Sequence, residues 1–301
     1  MSFDRLIENI NAMKNPTVLG LDPKLDFIPA DIKEAAYQAH GKTLAGAADA
    51  LLRFNKALID AVHDIVPAVK PQAAYYEMYG WQGMRALAET IVYAQAKGMF
   101  VMVDGKRNDI GATMEAYAAA WLGTTDVAGE RFAAFNGDAL TVNGYLGTDG
   151  IAPLLKICKE ADKGIFVLAK TSNPSSGELQ DLKINDKTVY ETMAALCETW
   201  GEALPGNYGY TGVGAVVGAT YPEQLEELRR KFPKMFFLVP GYGAQGGGGA
   251  SVAPAFDKNG MGAIVNASRS MMCAWKNAPG LSLAEATRAE AIRMKEDIAR
   301  F

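Results

Sequence analysis

The stretch Phe100-Val101-Met102-Val103-Asp104-Gly105-Lys106-Arg107-Asn108-Asp109-Ile110-Gly111-Ala112-Thr113 decides how the rest of the chain is read. An apolar run ends in Asp104, Lys106 follows two residues later, and Asp109 three beyond that. A short continuous apolar run of this kind suits a strand covered on both faces. Because side chains alternate along a strand, Asp104 and Lys106 leave the same face and lie side by side where the strand opens into a loop. Asp109 falls at the start of a helical pattern with Ile110, Met114, Trp121 and Leu122 as its apolar face. It therefore either caps that helix or projects into the same cavity. One such charge is ordinarily a cap or a solvated loop residue. A cluster of them after a buried strand is different, since unpaired buried charge costs on the order of several kcal/mol.

Outward from this stretch the same unit recurs. Residues 17–21 form an apolar strand ending at Asp22-Pro23, and residues 68–71 a very short one that carries Lys70 just before a proline. Residues 139–143, 165–169, 214–218, 236–239 and 263–265 are further apolar strands, each followed by a helical pattern. Eight β/α units in one chain of this length predict a (β/α)8 TIM barrel rather than an open doubly wound sheet. No linker interrupts the chain, so residues 1–301 are expected to form a single domain. Phe3, Leu6, Ile7, Ile10 and Met13 make one helical stripe, an N-terminal packing helix and not a signal peptide. Residues 31–50 are polar and Ala-rich and read as an insertion leading into a helix, and residues 75–97 as one long helix. Residues 170–187, polar and punctuated by Pro and Gly, read as a lid or binding loop.

Composition narrows the function. The 301 residues are 49% hydrophobic and 21% charged with a formal net charge of -4, which fits a globular protein with ample core. No long basic run points to nucleic acid or an anionic membrane as partner, and no run approaches the roughly 18 apolar residues of a membrane span. Cys158, Cys197 and Cys273 are widely spaced among apolar neighbours and read as reduced core thiols of a cytoplasmic protein. With only His40 and His63 in the sequence, a His-based metal site or a Ser-His-Asp triad has little material.

In such a barrel the strand exits share one face, so Asp22, Lys70, Asp104, Lys106 and Arg269 are expected at one pocket. The loops after strands seven and eight commonly hold phosphate in barrels. Here they supply a glycine-rich turn, residues 240–249 with Gln245, and then Arg269. Backbone N–H groups of Gly246 to Gly248 are candidate donors to phosphate oxygens, and Arg269 offers a bidentate fork. The turn also matches the Gly-x-Gly-x-x-Gly dinucleotide fingerprint. It comes late, however, with no βαβ half after it and no acidic residue about 20 positions on.

Asp104-Gly-Lys106-Arg-Asn-Asp109-Ile110-Gly-Ala-Thr113 resembles the D-x-K-x-x-D-I-x-x-T signature of the orotidine 5′-phosphate decarboxylase family. Asp22, Lys70, the turn holding Gln245 and Ser-Arg269-Ser stand in the order that family expects. The resemblance implies decarboxylation of orotidine 5′-phosphate to uridine 5′-phosphate, the last step of pyrimidine synthesis, without metal or organic cofactor. It implies a catalytic set of Lys106, Asp104, Asp109 and Lys70, with Lys106 stabilising the C6 carbanion and then protonating it. Asp22 and Lys70 resemble the ribose contacts and Ser172 the pyrimidine contact, with Thr171 and Asn173 as equally polar neighbours. Gln245 and Arg269 resemble the phosphate pair. In the family, Asp109 and Thr113 reach the neighbouring subunit's site, which implies a homodimer with shared sites, and Ile110 belongs to the same segment.

Two other functions compete. One is a metal-dependent sugar-phosphate lyase or synthase of the same barrel superfamily, which also carries D-x-K-x-x-D. Those relatives end strand two with an acidic metal ligand, where this chain has Lys70. The other is a non-catalytic phosphate-binding barrel, which the full set of charged strand exits argues against.

Overall fold

Each apolar run becomes a parallel strand with a helix after it. The strands are β1 (Thr17–Leu21), β2 (Ala68–Pro71), β3 (Phe100–Arg107), β4 (Ala139–Val142), β5 (Gly164–Lys170), β6 (Val213–Val217), β7 (Phe237–Pro240) and β8 (Ala263–Ala267). They close into a barrel in the order β1-β8-β7-β6-β5-β4-β3-β2. The main helices are α1 (Ser2–Met13), α2 (Ala30–His40), α3 (Leu44–Val62), α4 (Gly80–Ala96), α5 (Gly111–Trp121), α6 (Thr148–Ala161), α7 (Val189–Gly201), α8 (Pro222–Lys231) and α9 (Leu283–Ile298). The structure is a computed structural model and describes residues 2–243 and 248–301. Every residue of β1, β2, β4, β6 and β8 is buried. Strands buried on both faces read as uninterrupted apolar runs, which is why they were visible in the sequence.

Contacts divide the chain into two compact units. The first comprises Asn9–Gly105 and Ala267–Glu296. In it β1 and β2 pair with Gly20 beside Lys70 and Leu21 beside Pro71, and β2 pairs with β3 through Val69 and Val101. This register brings the strand ends level. Gln72 N–H donates to Leu21 O at 3.1 Å, and Ala73 N–H donates to Asp104 O at 3.2 Å. Helix α3 buries Leu51, Phe54, Leu58 and Val62. From the same helix Asn55 donates to the Tyr76 hydroxyl at 2.8 Å, and that hydroxyl donates to Leu21 O at 3.4 Å.

The polar residues 31–50 are helical themselves, forming α2 and the start of α3. Ala, Glu, Lys and Gln favour a helix even where packing asks little of them. The expected long helix over residues 75–97 is two helices, Ala74–Glu77 and α4. The break falls at Gly80, whose φ of 63° an L side chain rarely adopts.

The second unit comprises Met1–Glu8, Lys106–Asn266 and Asp297–Phe301. Thr141 of β4 pairs with Phe166 of β5, and β7 pairs with β8 from Phe237 beside Ala263 onward. Phe3 of α1 stacks on Phe166 at 4.7 Å and lies 5.6 Å from Phe236, which is how the N-terminal stripe finds its core. Between β5 and β6 the register slips: Val216 faces Leu168, but Val217 faces Lys170, so Ala169 forms a bulge. Two antiparallel hairpins join the barrel strands here, Thr125–Val127 with Glu130–Phe132 and Lys183–Ile184 with Lys187–Thr188. The three cysteines are free and buried, and burial pushes the Cys158 and Cys197 thiols well up from their ordinary value. Among the described residues no helix is long and apolar enough to cross a membrane.

Candidate active site

The level ends of β1, β2 and β3 bring three of the expected residues together. Lys70 is buried, and its Nζ donates to Asp104 Oδ2 at 2.8 Å. Gln72 Nε2 donates to the same oxygen at 2.9 Å, and Asp22 Oδ1 lies 4.0 Å from Lys70 Nζ. Burial works against charge on Lys70, yet Asp104 and then Asp22 outweigh it and hold its pKa above the ordinary lysine value. Lys70 therefore stays an ammonium across the neutral range. Asp22 Oδ1 is buried and accepts no hydrogen bond from any described residue. Buried acceptors are ordinarily satisfied, and here the described residues leave this oxygen only its ion pair with Lys70.

Lys106 stands two residues beyond Asp104 on β3, with a backbone φ of 48°. Left-handed backbone costs a non-glycine residue roughly 1–2 kcal/mol, and such outliers gather at functional positions. Simple strand alternation therefore does not extend through Lys106. Its N–H donates to Thr141 Oγ1 at 3.0 Å, so the neighbouring strand holds the turn.

Asp109 is half-buried, and its Oδ1 accepts from the Ile110 N–H at 2.8 Å. Helix α5 begins at Gly111 with Ile110 in the cap position and no side-chain cap, so Asp109 braces the residue before the helix and leaves its first turn uncapped. Ile110 was expected on the apolar face; it is 53% exposed. The buried face starts one turn later with Met114, Ala118 and Trp121. Thr113 is exposed as well.

Ser172 follows the end of β5. Thr171 donates from its hydroxyl to Asn173 Oδ1 at 2.6 Å and accepts from Gln180 Nε2 at 2.7 Å. The two polar neighbours are thus occupied with each other and with Gln180. Among the described residues the Ser172 hydroxyl has no hydrogen-bond partner, although the residue is half-buried. A Cβ on Gly218 would stand 2.8 Å from the Ser172 Cβ, so only glycine lets β6 end this close to it. Arg269 opens the short helix Arg269–Met272 and is exposed. Gln245 lies outside the described residues, with Ala244, Gly246 and Gly247.

Two residues escaped the sequence reading. Gln72 carries no charge to mark it, although it lies two residues past Lys70. Thr141 had a visible signal, being the one polar residue in the run Ala139–Val142.

Residues 28–277 match the model of the orotidine 5′-phosphate decarboxylase / HUMPS family. The chain is 44% identical over 288 residues to the orotidine 5′-phosphate decarboxylase of Rhodopirellula baltica, covering 94% of this chain and 93% of that protein. It is 42% identical over 274 residues to that of Caldicellulosiruptor bescii, covering 91% and 90%. Among solved structures it is similar to the OMP decarboxylase of Leishmania donovani, with a TM-score of 0.76, 32% identity and coverage of 99% and 97%.

Proposed function

The chain belongs to the orotidine 5′-phosphate decarboxylase / HUMPS family, and from that premise we propose a division of labour among its residues. The protein is a carboxy-lyase that converts orotidine 5′-phosphate to uridine 5′-phosphate and carbon dioxide. The bond between C6 and its carboxylate breaks, and the electron pair stays on C6, where no ring carbonyl delocalises it well. Stabilisation must therefore be electrostatic. Enzymes lower barriers by about 8 to 23 kcal/mol, and preorganised charge is usually the largest contribution.

Lys106 supplies that charge as an ammonium beside C6 and then donates the proton that forms the new C6–H bond. Asp104 orients the cations, and Lys70 completes the alternating network. Asp22 and Lys70 take the ribose hydroxyls, Ser172 the pyrimidine, and Gln245 with Arg269 the phosphate. Binding the remote phosphate organises the site for the chemical step. Asp109, Ile110 and Thr113 serve the site of a neighbouring subunit in a homodimer, a reading supported by the exposure of Ile110 and Thr113. The barrel works as a single cytoplasmic catalytic domain without metal or organic cofactor, and binds neither nucleic acid nor membrane.

The observation that carries this reading is the buried pair of Lys70 and Asp104 at 2.8 Å, with Gln72 on the same carboxylate oxygen. A metal-dependent relative needs an acidic ligand at the end of strand two, and an ammonium there repels a divalent cation. The test is orotidine 5′-phosphate with excess chelator, followed by loss of substrate absorbance. Turnover is expected to be indifferent to chelator. Folded protein with no turnover overturns the assignment, and activity abolished by chelator favours the metal enzyme.

A further inference from the structure

Strand β5 ends in a lysine that the chemistry above does not use. Lys170 is 0% exposed. Its Nζ donates to Asp181 Oδ1 at 2.8 Å and to Ser176 Oγ at 3.1 Å, and lies 4.8 Å from the ring centroid of Tyr221 and 5.8 Å from that of Tyr190. The register between β5 and β6 shifts just before Lys170, which pairs with Val217. Burying an ammonium is expensive unless it is paired and hydrogen-bonded, and here the pairing groups all come from the segment that follows Ser172 or from the helices beside it.

That segment is tied at both ends. Gln180 closes its base, accepting from the Thr171 N–H at 2.8 Å and donating to the Thr171 hydroxyl at 2.7 Å. Asp181 closes its far end through Lys170 and also accepts from Gln224 Nε2 at 3.2 Å. On the other side Gly218 N–H donates to Lys170 O at 2.8 Å, and the Thr220 hydroxyl donates to Ser172 O at 3.5 Å. Within residues 170–187, expected as a lid or binding loop, residues 171–182 form a strapped loop containing the turn Pro174–Glu178.

The geometry points to Lys170 and Asp181 as a positioning pair that fixes this loop so that the Ser172 hydroxyl is presented to the pyrimidine of orotidine 5′-phosphate. The inference rests on the pyrimidine role proposed for Ser172. Neither member of the pair touches substrate. Both act through the loop, whose ordering in advance removes an entropy cost from binding.

The experiment compares Asp181→Asn, Asp181→Glu, Lys170→Met and Ser172→Ala with the wild-type enzyme. Its readouts are KM and kcat for orotidine 5′-phosphate, and the Kd of ribose 5-phosphate, which carries the phosphate and ribose but no pyrimidine. Asp181→Asn is the safer variant, because that carboxylate is 41% exposed and no core packing depends on it. Asp181→Asn and Lys170→Met are expected to raise KM about tenfold, to leave the Kd of ribose 5-phosphate unchanged, and to be matched by recovery in Asp181→Glu. The double variant Asp181→Asn with Ser172→Ala is expected to be no worse than Ser172→Ala alone.

Additive losses in the double variant, an unchanged KM in Asp181→Asn, or equal weakening of ribose 5-phosphate overturns the positioning role. An unchanged KM in Ser172→Ala overturns it together with the Ser172 assignment. Absence of turnover in the wild-type enzyme is a separate result, and sinks the functional reading beneath both.

Discussion

Lys70 and Lys170 are both buried lysines near strand ends, each 2.8 Å from one aspartate. They differ in where the carboxylate comes from. Asp104 stands on the neighbouring strand, 10% exposed at its side chain, and is delivered by the β2–β3 register. Asp181 comes from the loop after Lys170's own strand and is 41% exposed. The first pair is assembled once the strands are paired, and its residues can be spent on chemistry. The second fixes a segment that strand pairing leaves undetermined. A buried lysine is thus informative only together with the element that supplies its counter-charge.

The largest expected effect separates the two pairs directly. Asp104→Ala leaves the Lys70 ammonium buried without its main partner and is expected to cost about 3–5 kcal/mol in denaturant unfolding, along with activity. Asp181→Ala is expected to cost less, because the 41% exposed site of the carboxylate admits water to the Lys170 ammonium and Ser176 Oγ still accepts from it. Equal losses would break the distinction. Next in size, Arg269→Ala, on the phosphate role proposed for it, is expected to lower kcat/KM by roughly ten- to a hundredfold, in KM and turnover together, in steady-state kinetics.

Thr141→Val takes the acceptor from the Lys106 N–H and is expected to destabilise by about 1 kcal/mol. It should also lower kcat more than it raises KM, since the strained turn at Lys106 loses its support. A valine variant with wild-type kinetics would show that the turn at Lys106 holds without Thr141.

The smallest effect concerns a third lysine pair, Lys231 with Glu191, at the start of α7. Burial raises the Glu191 pKa, but Lys231 and the Thr188 N–H outweigh it and bring the carboxyl down to about 2 from 4.5. A depressed carboxyl stabilises the fold above its unfolded value, and loses that contribution as pH falls from about 4.5 toward 2. Unfolding midpoints at successive pH values should show this loss in the wild-type protein and less of it in Glu191→Gln. The capping hydroxyl of Thr188, which accepts from Glu191 N–H at 3.2 Å, is expected to be worth about 1 kcal/mol in Thr188→Ala.

Strands were legible because burial on both faces leaves an apolar run, and their charged exits were legible because charge seldom survives there. Register was not. Gln72 matters because of where β1 and β3 end, and no pattern within residues 68–72 states that. Ile110 looked like core by spacing, but the helix starts one residue later and its buried face one turn later. Lys170 read as the first residue of a polar loop, since its burial depends on Ser176 and Asp181 folding back over it. The hairpin Thr125–Val127 with Glu130–Phe132 is exposed throughout, so no alternation marked it. Ser172, Thr171 and Asn173 are equally polar in sequence, and the bonds of the Thr171 hydroxyl to Asn173 and Gln180 depend on how the loop folds.

Lys106 carries the proposed chemistry, stabilising and then protonating C6. Lys106→Ala, with its fold confirmed by thermal unfolding, should lose about a thousandfold or more in kcat for orotidine 5′-phosphate, while uridine 5′-phosphate still binds. A folded Lys106→Ala protein that decarboxylates at a near-normal rate would rule out this role for Lys106.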